Sequence, residues 1–306
     1  MIADSHIHLT HFFFENTFPY LGYDGSEFVL GHEETRDGLI NRMKNAKIAF
    51  CVEPAIELES NDRILALSEK LSGFHYPAVG VHPTRTYSYM TIDKNGQRLT
   101  KRLKLRDFCQ LKEYAAHPHV AAIGETGLDY HLDRKEQHRL VQKIWFVRQL
   151  QLAHRHQLPV ILHIRDADQD ALKILRRFKG KLHGGVCHCF YGNADTAKTY
   201  TDLGLMLGIG GSLLQKPEFC ADLEDAVRQT PIEYLLLETD GPYVKPMCPS
   251  LTGKQRRKAR NTSLILPAVA KRIAELKGMT QEDVERITTG NAARVFRIPH
   301  HLGCEQ

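Results

Sequence analysis

The sequence predicts an α/β fold, a (β/α)8 barrel of the TIM type, either regular or distorted. Eight apolar runs of strand length recur along the chain, and amphipathic segments of helix length separate them. No composition shift and no Gly/Ser/Pro linker divides the 306 residues. Alternating strands and helices predict βαβ units and a parallel sheet, and eight such units in an undivided chain favour a closed barrel over an open sheet. We therefore expect a single domain over residues 1–306.

The elements follow one another in regular order. Short apolar runs predict strands at 2–8, 48–54, 76–82, 120–128, 159–164, 185–190, 205–210 and 234–239. Amphipathic stretches predict helices at 61–71, 134–156, 167–178, 193–203, 218–228, 263–277 and 280–296. The last helix opens at Thr280 with Asp283 three residues later, a loose variant of the capping box. We expect two long loops, 10–36 and 83–105, to follow the carboxyl ends of strands, where a barrel builds its site, and to contact substrate or a protein partner.

Composition excludes several classes of protein. The net charge is +5, too small for a protein that binds nucleic acid by charge alone, although it tolerates an anionic substrate. The seven cysteines are odd in number and scattered, without a C-x-x-C pair, which favours a reducing cytoplasm. The amino terminus lacks the basic and apolar regions of a signal peptide, and no apolar run reaches membrane-spanning length. We expect a cytoplasmic protein that does not interact with membranes.

One pair of histidines stands out among the seventeen in the chain. His6 and His8 lie two residues apart at the end of the first predicted strand, so strand periodicity places both side chains on the same side. A similar pair at 154 and 156 lies in a predicted helix, where a two-residue spacing is about 200° around the axis. Only the first pair therefore has the geometry to bind one ion.

Four further polar residues occur at the same level of the predicted barrel. Glu125 lies at the end of the fourth strand, His163 of the fifth, His188 of the sixth and Asp240 of the eighth. Together with His6 and His8 they offer nitrogen and oxygen ligands suited to Mg, Mn or Zn, and six ligands exceed one tetrahedral site. The sequence therefore predicts two divalent metal ions at this face.

The motifs that carry these residues resemble those of the TatD family of metal-dependent nucleases, which belongs to the amidohydrolase-like barrels. They occur in order as DSHIH, GVHP, GETGLDY, HIRDA, HCFYG and LLLETDGPY. The resemblance implies metal ligation by the six residues above, with Glu125 bridging the ions, and places His82 of GVHP near the scissile phosphate. The chain departs from the usual pattern in its longer stretch after GVHP and in Ser263, where family members commonly have Pro.

We expect a metal-activated water to attack a phosphodiester without a covalent intermediate. The predicted catalytic residues are Asp240, which orients the water and accepts its proton, Glu125, and His82, which contacts the phosphate or protonates the leaving oxygen. Asp129 and Glu238 are candidates to orient ligand histidines. Substrate contacts are predicted for basic residues, some of them in the acid-free runs 94–106 and 254–260; these are Arg165, Arg257, Arg260, Lys101 and Arg102.

The resemblance implies a 3′–5′ deoxyribonuclease that acts on single-stranded or frayed DNA ends. Two alternatives keep the same barrel. One is an amidohydrolase-type hydrolase of a small ester, lactone or phosphoester, because a fold does not determine a function. The other is a DNA-processing subunit of a multi-protein assembly, such as a defence system, for which the long loops would supply partner contacts.

Overall fold

A computed structural model of the chain describes residues 1–92, 98–103, 105–131 and 136–299. Its strands are β1 (Ile2–Asp4), β2 (Phe18–Tyr23), β3 (Phe28–Glu34), β4 (Ile48–Pro54), β5 (His75–Val79), β6 (Met90–Ile92), β7 (Arg98–Leu103), β8 (Ala122–Asp129), β9 (Val160–Arg165), β10 (Gly185–Cys187), β11 (Met206–Ile209) and β12 (Leu235–Leu237). Its α-helices are α1 (Arg36–Asn45), α2 (Leu58–Lys70), α3 (Leu105–Ala115), α4 (Glu136–His156), α5 (Asp168–Arg176), α6 (Ala194–Thr201), α7 (Pro217–Gln229), α8 (Gly253–Lys258), α9 (Leu266–Lys277) and α10 (Gln281–Phe296).

The predicted barrel is confirmed. Eight strands form one parallel sheet in the order β1, β4, β5, β8, β9, β10, β11, β12, and each corresponds to one of the eight apolar runs. Helices alternate with these strands along the chain. One core cluster takes a residue from every barrel strand, including Phe50 and Ile161, and the end of α10 joins it through Val295 and Phe296. A larger cluster contains the other faces of the strands and the surrounding helices. Strand periodicity therefore separates an inner core from an outer one.

The first strand is shorter than the sequence predicts. The run at 2–8 was expected to be a strand throughout, but β1 ends at Asp4. The amide of His6 donates to the side chain of Asp4 over 3.2 Å, and such an Asx turn competes with the ladder for backbone groups. The chain therefore bends between the end of β1 and the two histidines that follow it.

The two long loops contain structure of their own. Segment 10–36 holds a 3-10 helix at Phe12–Phe14 and the antiparallel hairpin of β2 and β3. That hairpin is tied to the segment after β12, because the amide of Leu21 donates to the carbonyl oxygen of Arg260 and the amide of Arg260 donates to that of Pro19, each over 2.8 Å. Segment 83–105 holds a 3-10 helix at Pro83–Tyr89 and the hairpin of β6 and β7. Neither hairpin was predicted from the sequence, because neither pairs with the barrel strands. In the part of the chain that is described, no helix has the length and apolar character needed to cross a membrane.

The barrel closes where its first and last strands meet. The amide of Ser5 donates to the carbonyl oxygen of Leu237 over 2.9 Å, and the amide of Asp240 donates to that of His6 over 2.8 Å. The buried carboxylate of Asp4 spans the junction: it accepts the hydroxyl of Thr239 at 2.6 Å and that of Ser263 at 2.7 Å. Burial raises the pKa of Asp4 to about 7 in spite of these donors. We call this contact the closure seam.

Substitution Asp4→Ala is expected to lower the free energy of unfolding by about 3 kcal/mol, because it leaves buried hydroxyl and amide donors without an acceptor. Urea denaturation followed by circular dichroism measures the change. Asp222→Ala on the exposed surface of α7 is the control, with an expected change within about 0.5 kcal/mol. Equal stabilities for the two variants would show that the seam does not hold the barrel together.

Candidate metal centre

The two histidines after β1 lie close to one carboxylate on β8 and to another just after β12, the strand next to β1 at the closure seam. His6 Nε2 and His8 Nε2 lie 3.2 Å apart. Asp240 Oδ1 lies 3.6 Å from His6 Nε2 and 3.3 Å from His8 Nε2. Glu125 Oε2 lies 3.6 and 3.8 Å from the same two nitrogens. Two nitrogens and two carboxylate oxygens therefore converge on one point.

The second oxygen of Glu125 faces a different group of histidines. Glu125 Oε1 lies 2.9 Å from His163 Nδ1, 3.4 Å from His188 Nε2 and 3.6 Å from His82 Nε2. An irregularity in the pairing of β8 with β9 places this side chain. Ile123 pairs with Val160 and Thr126 pairs with Leu162, so β8 contains one residue more than β9 over this interval. Bulges of this kind redirect a side chain beside a site. Glu125 thus stands between two sets of imidazoles, with one oxygen towards each.

Two further acids bind the outer nitrogens of the histidines, as the sequence suggested. Asp129 Oδ2 lies 3.0 Å from His163 Nε2, and Glu238 Oε1 lies 3.1 Å from His188 Nδ1. Glu238 also accepts the amide of Cys189 at 2.6 Å. A Cβ at position 208 would overlap the Glu238 carboxylate, so Gly208 is required for its approach. These acids orient the rings so that the other nitrogen of each points to Glu125.

The electrostatics of the cluster keep Glu125 ionised. Burial alone would raise the pKa of Glu125, but the imidazoles of His82, His188 and His6 lower it well below its usual range. Burial alone would lower the pKa of His188, but Glu238 and Glu125 raise it to about 10. Burial and the nearby His163 instead lower the pKa of His82 to about 3. The ionised carboxylates therefore favour a positive charge within the cluster, on a histidine or on a bound cation.

The donor set fits divalent metal ions. Three groups of side chains bring ligand atoms within 4.8 Å of one another: His6 with His8 and Glu125, His82 with Glu125 and His163, and His6 with His188 and Glu238. Imidazole nitrogens and carboxylate oxygens are ligands for Zn and Mn in proteins. His6 Nδ1 and Glu238 Oε2 are buried and lack a hydrogen-bond partner among the described residues. A cluster of buried acceptors with few donors is the composition expected of a metal centre.

The structure places two residues besides the six predicted ligands at ligand distance. All six predicted ligands lie in this cluster. His82 and Glu238, predicted for other roles, stand at ligand distance as well. The signal for His82 was its position just beyond β5, at the same level of the barrel as the other strand-end residues. For Glu238 the signal was its position directly after β12, two residues before Asp240.

The predicted substrate contacts are dispersed. A cavity of about 530 Å³ opens over the cluster and is lined by His163, His188 and Asp240 together with Arg165 and Tyr191. Arg165 therefore lines the cavity over the cluster, and its contact with substrate stays a prediction. Arg260 lies apart from this cavity, in a groove with Phe13. Arg257 is exposed on α8 and does not line the cavity. The side chains of Lys101 and Arg102 fall outside the part of the chain that is described.

Tyrosines near the strand ends have different surroundings. Tyr89 is buried against Trp145, with ring centroids 5.7 Å apart, and its hydroxyl accepts the amide of Leu58. Tyr243 is exposed, and its hydroxyl lies 2.6 Å from His11 Nε2. Of these two tyrosines, Tyr243 alone is available to a ligand at the centre.

Known proteins resemble this chain over most of its length. The family model described as TatD related DNase matches residues 3–297. The metal-dependent hydrolase YabD of Bacillus subtilis, described as uncharacterized, is 35% identical over 260 residues, which cover 85% of this chain and 92% of YabD. A protein of Cronobacter turicensis named 3′-5′ ssDNA/RNA exonuclease TatD is 33% identical over 264 residues, covering 86% and 92% of the two chains.

The fold is also found in a solved structure. The crystal structure of YjjV, a TatD homologue from Escherichia coli K12, superposes with a TM-score of 0.75 at 24% identity, and the match covers 97% of this chain and 98% of that one. This similarity agrees with the barrel, and the resemblance seen in the motifs is confirmed across nearly the whole sequence. The chain belongs to the TatD related DNase family.

Proposed function

We propose that this protein is a metal-dependent deoxyribonuclease that removes nucleotides in the 3′–5′ direction from single-stranded or frayed DNA ends. The chain is a metal-dependent hydrolase of the TatD family, and this activity is the specific form that we assign to it. The observation that carries the proposal is the position of Glu125, whose oxygens face separate sets of imidazoles 2.9 to 3.8 Å away. This arrangement supports two ions that share one carboxylate.

Each ligand has a place in this proposal. His6 and His8 would hold one ion with Asp240, and His163 and His188 would hold the other, with Glu125 common to both. Mg, Mn or Zn in these positions would supply an activated water and neutralise charge on the phosphoryl oxygens. The donor set accommodates all three metals.

Asp240 and His82 are the proposed catalytic side chains of the protein, together with Glu125. The side chain of Asp240 is 15% exposed, against 3% for Glu125, so it faces the cavity and is accessible to the attacking water, whose proton it would accept. His82 Nδ1 lies 2.7 Å from Thr84 Oγ1 and accepts the amide of Thr84. In the neutral ring this leaves the proton on Nε2, where it can donate to a phosphate oxygen.

Further features support a nucleic acid substrate. Arg165 is exposed on the cavity wall and can pair with phosphate, for which a guanidinium is well suited. The direction of cleavage and the preference for single strands are supported by the name of the Cronobacter turicensis relative. We further propose that residues 1–306 form one domain, that the segments 10–36 and 83–105 contact protein partners, and that the protein is cytoplasmic. For the last proposal, the six cysteines that the structure describes are all free thiols.

Substitution Asp240→Asn is expected to reduce metal-dependent cleavage of DNA at least about 100-fold, because the amide cannot accept the proton of the water. The assay uses end-labelled single-stranded DNA and protein stripped with chelator, with Mg, Mn or Zn added back. A ladder that shortens from the 3′ end would give the direction of cleavage.

Asp166→Asn is the matched control, with cleavage expected within about threefold of the unmodified protein. Both aspartates have left-handed backbones, with φ of 53°, which asparagine tolerates, and Asp166 is bound at the rim to His131. A protein that binds metal but leaves DNA intact with every ion would contradict the nuclease and favour a small ester or phosphoester as substrate.

Substitution Glu238→Gln is expected to weaken metal binding about 10- to 100-fold, because the neutral amide no longer increases the basicity of His188. Competition against a fluorescent chelator measures the affinity without any substrate. The control is Glu224→Gln on α7, whose carboxylate pairs with Arg272 far from the centre and should leave metal affinity unchanged. Unaltered affinity in Glu238→Gln would exclude the proposed role of this acid.

A further inference from the structure

A second surface adjoins the metal centre and has a different chemistry. The 3-10 helix at Phe12–Phe14 follows His8 by four residues and turns aromatic rings outwards. Phe12 is 59% exposed, although large apolar side chains usually avoid water. His11, Phe12, Phe13, Tyr243 and Arg260 form a continuous set of planar groups. We call this set the aromatic shelf.

The shelf is rigidly supported from below. Phe14 is fully buried and packs against Phe18, with ring centroids 4.7 Å apart, which anchors the short helix in the core. His11 caps the helix, because its Nδ1 accepts the amide of Phe13. The neutral ring then carries its proton on Nε2 and donates it to the Tyr243 hydroxyl at 2.6 Å. The planar groups are therefore held in place before any ligand arrives, which reduces the entropic cost of binding.

The groups of the shelf contact one another in sequence from the centre outwards. The Tyr243 ring lies 6.3 Å from the ring of His8, a predicted ligand, and 5.2 Å from that of His11. His11 and Phe12 have centroids 4.3 Å apart, as do Phe12 and Phe13. The guanidinium of Arg260 lies 3.9 Å above the Phe13 ring. The shelf therefore extends in unbroken contact from the Tyr243 ring, beside His8, to the Arg260 guanidinium.

Charge distinguishes this surface from an ordinary apolar patch. The exposed ring lies in a groove of about 310 Å³ that is also lined by Lys258 and Arg260. Glu33 is the acid among the lining residues, and it is engaged by the hydroxyl of Thr17 at 3.3 Å. Flat aromatic rings beside cations are the combination by which proteins bind unpaired bases and their phosphates, whereas a purely apolar partner would not need the cations.

We propose that the aromatic shelf binds an unpaired nucleobase of single-stranded nucleic acid, stacked on Phe12, next to the nucleotide whose phosphate lies at the metal centre. This inference rests on the proposed nuclease function and adds a base-binding subsite to it. The groove cations contact the adjoining phosphate. Stacking accepts every base because each has a flat face, so the shelf selects for unpaired strands without selecting for sequence.

The test measures binding separately from cleavage. Binding of a fluorescent ten-nucleotide DNA is followed by anisotropy in protein that carries Asp240→Asn, with and without Phe12→Ala. We expect Phe12→Ala to weaken binding about 5- to 100-fold, and Phe12→Trp, which keeps a flat ring, to retain it. Phe219→Ala is the matched control, because Phe219 is 61% exposed on α7 and lies outside the shelf.

Oligonucleotides with one abasic position, moved stepwise from the 3′ end, locate the stacked base. An abasic nucleotide at one position should weaken binding to the protein that retains Phe12. The Phe12→Ala variant should bind this oligonucleotide as tightly as it binds the intact one. The inference would be overturned if the abasic nucleotide and Phe12→Ala weakened binding additively at every position. It would also be overturned if the protein bound no single strands, or if Phe12→Ala and Phe219→Ala had equal effects on binding. A change in particle mass by light scattering in Phe12→Ala, with DNA binding unchanged, would instead identify the shelf as a protein interface and also overturn it.

Two comparisons separate this inference from the proposed function. A matched RNA of the same length shows whether the shelf takes bases from DNA, from RNA or from both. Cleavage by protein with Asp240 intact is measured in parallel. Cleavage that does not respond to Phe12→Ala would refute the shelf alone, whereas binding that depends on Phe12 without any cleavage would refute the nuclease alone.

Discussion

The closure seam is the contact on which the rest of the molecule depends. A parallel barrel must join its first and last strands, and here the joining groups lie more than 230 residues apart, as the bond between Thr239 and Asp4 shows. The same junction brings the histidines after β1 to within 3.6 Å of Asp240. Ser263 donates its hydroxyl to Asp4 at 2.7 Å and so contributes to the junction. The stability of the barrel and the geometry of the centre therefore have a common origin.

The centre gathers charges that a protein interior does not normally accept. Glu125 is 3% exposed, and the rings of His6 and His188 stack with centroids 3.5 Å apart. Burying such groups is costly unless each has a partner of opposite charge or a metal. Asp129 and Glu238 provide part of that compensation by binding the outer nitrogens of His163 and His188. The same hydrogen bonds that offset the cost of burying these groups also orient the histidine rings for binding a metal ion.

Segments outside the common barrel carry the side chains of the aromatic shelf. The segment after β1 contributes a short helix and a hairpin, and the hairpin is hydrogen-bonded to Arg260 and to Thr262. The aromatic shelf thus consists of side chains from two distant parts of the chain, held by backbone bonds outside the barrel. Since the fold itself is compatible with many reactions, we expect the specificity of this protein to reside in such additions.

The sequence by itself determined the eight strands, five of the helices between them and the six polar residues at the strand ends, because periodicity and position within a repeat are local properties of the chain. It did not predict α1 or α3. It did not predict where β1 ends, since that depends on a bond between Asp4 and the amide of His6. The hairpins in both long segments were missed for a similar reason, because their strands pair outside the barrel. Only the tertiary structure decided which oxygen of Glu125 faces which histidine, that His82 and Glu238 lie at ligand distance, and that Arg260 covers Phe13 and does not line the cavity. Those relations depend on how distant segments approach one another once the barrel closes, and a linear pattern of residues contains no measure of such distances.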